Sequence, residues 1–404
     1  MSAGGQQALR AIHLPVWIGT VSRPRATTFA ALFALLTFCR SLLITVVPLS
    51  AHAFLGDAQK VSMLYFGVSI VGVCGALAVP LLVYRLKRRW VFTLGGVAMA
   101  FAAYFLSRGT LPEFVLGMIF QVFSIACLEI TFNLYLMDHI PRTELGRFEP
   151  LRMFFASGSW IVGPWLGVYL QGHFVDWAPF ALSATAAVVM LGFFWFLRLT
   201  DDPAVAPAKS RPPNPIRYLP HFFVQPRLRL AWVLAVARSG WWAMFFIYAP
   251  IYCVTAGLGE VVGGAIASVA SVSLFIVPLW GWVGRRYGLR RLLIAGYCLS
   301  ALASFAVAAA AGVPWLGAVA LLGAAFSTGT IDGGGNVPFL RAVHPLERAE
   351  MTTVFATYRD VSQLAPPGVF ALILKFFELP AVFIAAGGAM LVVASYARYL
   401  PRRL

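Results

Sequence analysis

Six ionisable side chains fall inside long apolar stretches of this sequence: Arg40, Glu129, Arg238, Asp332, Arg359 and Asp360. A charge near the bilayer centre costs about 2.5–3.5 kcal/mol on insertion scales, so a chain that keeps several must pair them or use them. Arg40 and Arg238 carry planar, permanently charged forks that fit a carboxylate or a phosphate. Each could instead neutralise Glu129 or Asp332 and touch no ligand. The two readings are compatible, because a solute or a proton could displace an internal pair. Glu129 and Asn133 are four residues apart, as are Asp332 and Asn336, which puts each pair on one helix face. A carboxylate in a wet bundle interior can exchange protons, so Glu129 and Asp332 lead as proton-coupling candidates. Asp360, next to Arg359, is the third. The alternative is a carboxylate locked to arginine. Arg152 reads as a partner of Glu149 rather than as a member of this set. Gly333, Gly334 and Gly335 weaken the helix just after Asp332, either to expose backbone groups to a ligand or to let helices touch. Asn133, Asn336, Trp241 and Tyr358 complete the substrate-binding candidates around Arg40 and Arg238. Phe38, Tyr135 and Trp242 are further aromatics near the arginines, although most membrane aromatics only pack or sit at the interface.

The elements that must hold these residues are membrane helices. Of 404 residues, 60% are hydrophobic and 11% charged, against about a quarter charged in a soluble domain. A search for stretches of about 20 mostly apolar residues predicts twelve spans: 27–50, 61–83, 90–107, 113–136, 151–171, 178–198, 230–254, 261–283, 291–312, 315–340, 351–375 and 379–397. The first is too long for a signal-peptide core and is expected to stay as a helix. Residues 199–229 are polar and proline-rich and read as a linker between two sets of six helices. The expected organisation is a cytoplasmic N-terminal segment 1–26, a bundle 27–198, a cytoplasmic linker 199–229, a second bundle 230–397 and a cytoplasmic tail 398–404.

The net charge of +16 does not point to nucleic acid. The basic residues sit in short clusters between apolar runs, as the positive-inside bias requires. With both termini inside, the outer loops keep only Lys60 and Arg108, with Lys375 near a helix end. The five cysteines all lie in apolar runs without a C-x-x-C and read as small apolar residues. No metal or cofactor spacing is present. The six histidines are scattered near loops, so a membrane enzyme is disfavoured. A sensor or scaffold of the same build would usually carry an appended soluble domain.

The halves echo each other. Arg40-Ser41 and Arg238-Ser239 recur, as do Glu129 with Asn133 and Asp332 with Asn336, about 200 residues on, which suggests a duplicated six-helix unit. The loop Gly281-Trp-Val-Gly-Arg285-Arg286-Tyr-Gly288-Leu-Arg290-Arg291 has a counterpart in Tyr84-Arg85-Leu-Lys87-Arg88-Arg89.

At these residues the sequence resembles the major facilitator superfamily. Residues 281–291 are similar to that family's G-x-x-x-D-R-x-G-R-R loop, with Arg285 in place of the acid. In the first-half copy Tyr84 takes the acid position and Lys87 the glycine. Ser159-Trp-Ile-Val-Gly163-Pro164-Trp-Leu-Gly167 is similar to the helix-five pattern of family antiporters, with Ser159 and Val168 replacing two glycines. The resemblance implies an all-α membrane protein of twelve transmembrane helices in two pseudo-symmetric six-helix bundles. Helices one and seven would line a central cavity, with Arg40 and Arg238 facing each other across it, an arrangement that favours an anionic solute. Gly163, Pro164, Gly281, Arg286, Gly288 and Arg359 are then gating or structural residues.

The expected function is proton-coupled secondary transport of a small anionic or zwitterionic organic solute by alternating access. The expected protein is a monomer in the inner or plasma membrane, with no cofactor and no metal. Export by antiport stands slightly ahead of uptake by symport. A multidrug efflux pump is a further alternative, weakened by Gln121 near the place of the drug exporters' helix-four arginine.

Overall fold

The computed structural model describes residues 24–139, 145–197, 215–310, 312–344 and 347–401. Among the described residues there are helices and no strands. The first half holds α1 (Pro24–Ser41), α2 (Val46–Leu55), α3 (Ala58–Leu86), α4 (Arg88–Leu106), α5 (Leu111–His139), α6 (Leu145–His173) and α7 (Ala178–Phe196). A short α8 (Pro215–Val224) opens the second half. It continues through α9 (Pro226–Thr255), α10 (Glu260–Ser271), α11 (Ser273–Tyr287), α12 (Leu289–Ala309), α13 (Pro314–Asp332), α14 (Val337–Ala342), α15 (Arg348–Ala356), α16 (Tyr358–Ile373) and α17 (Pro380–Ala397).

Eleven helical stretches among the described residues are long and apolar enough to cross a membrane. The chain is a multi-pass membrane protein. Three of the eleven are jointed: α1 with α2, α10 with α11, and α13 with α14. The expected span 351–375 falls outside the eleven because Arg359, Asp360, Ser362 and Gln363 make it less apolar; it is also jointed, at Thr357, into pieces of 9 and 16 residues. Its second piece, α16, still packs between α3 and α9.

The joints have local causes. Pro48 has no N–H to give Ile44, so the first span cannot continue its ladder there. Leu43 and Ile44 instead donate three residues back, to Arg40 O at 3.2 Å and Ser41 O at 3.3 Å. After α13 the three glycines carry the chain through a turn, with Gly335 at φ +45°. A Cβ at Gly334 would lie 2.8 Å from Leu293, and one at Gly333 3.0 Å from the Gly281 nitrogen. The glycines therefore let this joint press against α11 and α12. In the stretch read as linker, residues 198–214 lie outside the described residues, and the chain is helical again from Pro215. Proline is well tolerated in a first helical turn. Phe222 of α8 is fully buried among Leu228, Phe339, Met351 and Phe355.

Packing repeats between the halves. In the first bundle α1 packs on α6, and α4 on α5 and α7; in the second α9 packs on α16, and α12 on α13 and α17. The two motif-like turns repeat as well, since Lys87 (φ +63°) takes a positive φ like that of Gly288 (φ +96°).

The bundles meet through α6 with α10, α3 with α16 and α2 with α9. Ser62 and Tyr248 share a hydrogen bond of 2.7 Å, and both are buried. The Ser69 hydroxyl donates to Gln363 O at 3.1 Å, and the Trp165 N–H to Ser268 Oγ at 2.9 Å.

Candidate functional site

Arg40 sits in the last turn of α1, where the joint ends the helix. Its Nη1 donates to Glu129 Oε1 of α5 at 2.7 Å. The two side chains stay 27% and 32% exposed although both helices are apolar. Lipid is a poor neighbour for such a pair. The Arg40 guanidinium also lies over the Trp160 ring, 5.8 Å from its centroid.

Arg238 of α9 mirrors this. Its Nε lies 3.4 Å from Asp332 Oδ1, with the side chains only 11% and 20% exposed. Its Nη2 donates to Asn336 Oδ1 at 3.4 Å, and the Trp242 indole N–H donates to Asp332 Oδ2 at 3.0 Å. Asp332 ends α13 and Asn336 stands just before α14, so the glycine turn, not one continuous helix face, gathers both onto Arg238. Beside them a crevice of about 10 Å³ between Arg238, Tyr297 and Asn336 has room for about one water molecule.

Other candidates are placed elsewhere. Asn133 accepts from Arg152 Nη1 at 3.3 Å, and that guanidinium lies 4.5 Å over the Phe33 ring. The side chain of Glu149, the expected partner of Arg152, lies outside the described residues. Trp241 is 3% exposed and donates to Ser304 Oγ at 3.1 Å, so it is a packing residue here and Trp242 takes the place expected for it. Tyr358 is also buried, in the cluster with Phe222 and Phe355, and its hydroxyl accepts from Arg359 Nε at 3.4 Å. Arg359 is exposed, with Asp360 beside it and Glu129 of the other bundle within electrostatic reach.

The two ion pairs are joined by aromatic contacts that the sequence reading missed. Trp160 of α6 touches Phe246 of α9, centroids 5.4 Å apart, and Phe246 stacks on Trp242 at 5.8 Å. A signal was available: Arg238, Trp242 and Phe246 recur every four residues and share a helix face. Trp242 and Phe246 are also the two partly exposed residues in the otherwise buried stretch 240–253.

The structural candidates have visible contacts. A Cβ at Gly163 would lie 2.8 Å from the Ser41 carbonyl carbon, and one at Gly167 2.9 Å from Val46. Pro164 O accepts from Thr45 Oγ1 at 2.8 Å, and Ser159 Oγ donates to Ala34 O at 3.0 Å. The helix-five pattern is thus a backbone-close seam against the jointed first span. Gly281 faces Gly333 O, Gly288 makes the positive-φ turn, and Arg286 stacks over Trp282 at 5.2 Å. Among the described residues no His, Cys, Asp or Glu cluster could hold a metal, and Cys39, Cys74, Cys127, Cys253 and Cys298 are free thiols.

Comparison with known proteins places this geometry. A probable nitrate/nitrite transporter, NarK2, from Mycobacterium tuberculosis (strain ATCC 25618 / H37Rv) is 28% identical over 172 residues, 40% of this chain and 42% of that protein. The match therefore spans less than half of that relative's length. A POT family transporter in complex with 5-aminolevulinic acid superposes with a TM-score of 0.75 at 13% identity, over 94% of this chain and 96% of that one. A D-xylose-proton symporter gives 0.73 at 12% identity, over 94% and 98%. At such identities the likeness is one of fold. The Major Facilitator Superfamily model matches residues 29–367, most of the chain. With paired charges at duplicated positions between two helical bundles, the chain belongs to the major facilitator superfamily of membrane transporters.

Proposed function

We propose that this transporter couples protons to the movement of a small anionic or zwitterionic organic solute by alternating access. It would work in the inner or plasma membrane as a monomer, with both termini in the cytoplasm. The observation that carries the reading is the 2.7 Å Arg40–Glu129 pair in a partly exposed interior. A proton on Glu129 removes its hold on Arg40, and an anion can then take the guanidinium. The same logic applies to Asp332 and Arg238. Proton and anion therefore favour each other's binding and travel together, as in a symporter. The helix-five pattern, which favours antiport slightly, also packs α6 on the first span; the shared proton-and-anion logic favours symport. The relative named as a nitrate/nitrite transporter supports an anionic cargo.

The test is transport by the purified protein in liposomes holding a pH-sensitive dye. Addition of carboxylate solutes outside is expected to acidify the lumen, and Arg40→Gln and Arg238→Gln to abolish the signal. Proton efflux driven by organic cations, unchanged in both variants, would overturn the reading.

A further inference from the structure

The aromatic contacts between the ion pairs bear on which anions fit, and this inference rests on the anion reading above. Trp160, Phe246 and Trp242 form an unbroken run of rings from Arg40 to the Asp332–Arg238 pair. All three are partly exposed, as are Arg40 and Arg238. Aromatic faces carry negative potential, so a compact oxyanion pressed against them gains nothing beyond the arginine contact. A flat uncharged ring gains apolar burial and stacking on the same surface. We infer that Trp160, Phe246 and Trp242 form a wall that receives the planar apolar body of the solute, and that the preferred cargo is a ring-bearing carboxylate rather than an inorganic oxyanion or a short aliphatic acid. The charge of such a solute is complementary to Arg40 at one end of the wall and to Arg238 beyond the other, each of which holds a carboxylate that the solute displaces.

The test measures binding of benzoate, indole-3-acetate, acetate, nitrate, phosphate and benzylamine to the purified full-length protein at pH 6. The ring acids are expected to bind at least about tenfold more tightly than acetate or nitrate. Trp160→Leu and Phe246→Leu should erase that preference, bringing benzoate and indole-3-acetate down to the affinity of acetate in the same variant, while Phe246→Tyr should retain it. The unliganded melting point of each variant shows whether it folds. Nitrate or acetate binding as tightly as benzoate would overturn the wall and leave the anion reading standing. Binding of benzylamine alone, or of none of the anions, would overturn both.

Discussion

Replacing Glu129 with glutamine keeps the shape of the carboxyl group and removes its charge for good. In the wild type an anionic solute competes with Glu129 for Arg40, which it holds at 2.7 Å. Unit charges at that separation attract by about 6 kcal/mol at an effective dielectric of 20 and by about 1.5 kcal/mol in water. Both side chains are close to a third exposed, so the value belongs near the watery end. About 2 kcal/mol is a fair figure, or roughly thirtyfold in affinity. Glu129→Gln should therefore bind benzoate about thirtyfold more tightly than wild type at pH 7.5. Isothermal titration of wild type and variant at pH 7.5 measures both affinities. Liposome transport by the variant should lose its proton dependence. Equal or weaker binding than wild type at pH 7.5, with proton-dependent transport intact, would refute the competition between Glu129 and solute.

Four smaller predictions concern the scaffold. Gly167→Ala should cost about 1–3 kcal/mol by overpacking against Leu42 and Val46, whereas Gly172→Ala, with open space around it, should leave the melting point within a degree or two of wild type. Lys87 holds φ +63° and ψ +154°, a region open almost only to glycine. Lys87→Gly should therefore raise stability by about 1 kcal/mol, read from the melting point in detergent. Tyr248→Phe removes the buried bond to Ser62 that ties the bundles. It should weaken that contact between the bundles by about 1 kcal/mol, seen as a shifted distance distribution between spin labels on the two bundles. Glu347 is held below the usual carboxylate range, first by the hydrogen bond from His221 and then by that from Gln225. A depressed carboxylate stabilises the fold above its unfolded pKa and loses that contribution as the pH falls through its folded pKa. Docking of α8 should thus weaken only as the pH falls below the ordinary carboxylate range, and at higher pH in His221→Ala, as read by peptic cleavage at Phe222-Phe223.

The sequence made the ion pairs visible because charge contrasts sharply with an apolar background. Arg40, Glu129, Arg238 and Asp332 could be picked out singly, and their duplicated spacing suggested equivalent places. What it hid was rotation and breakage. Trp241 and Trp242 differ by one position, about 100° around a helix, and only the second reaches Asp332, while the first bonds Ser304. Tyr358 follows the break at Thr357, which ends the simple phase of that span. Trp160 and Phe246 were lost among many other apolar residues, where nothing marks the ring that faces water. The α8 helix was hidden by its prolines, although Pro215 stands where the first turn tolerates one. Lys87 shows the reverse case: the residue departs from the glycine pattern while the backbone keeps the glycine's conformation.

The seam at Gly163 and Gly167 brings main chain against main chain, with almost no side chain between α6 and the first span. Surfaces of that kind can roll on each other without unlocking interdigitated rotamers. They make a fulcrum, and this one sits off-centre. From Gly163 back to Leu145 the helix is roughly 27 Å long at 1.5 Å per residue, so a tilt of roughly 10° swings its free end by roughly 5 Å. A roll of that size at the seam would widen the gap at the Leu145 end by about the width of one ring.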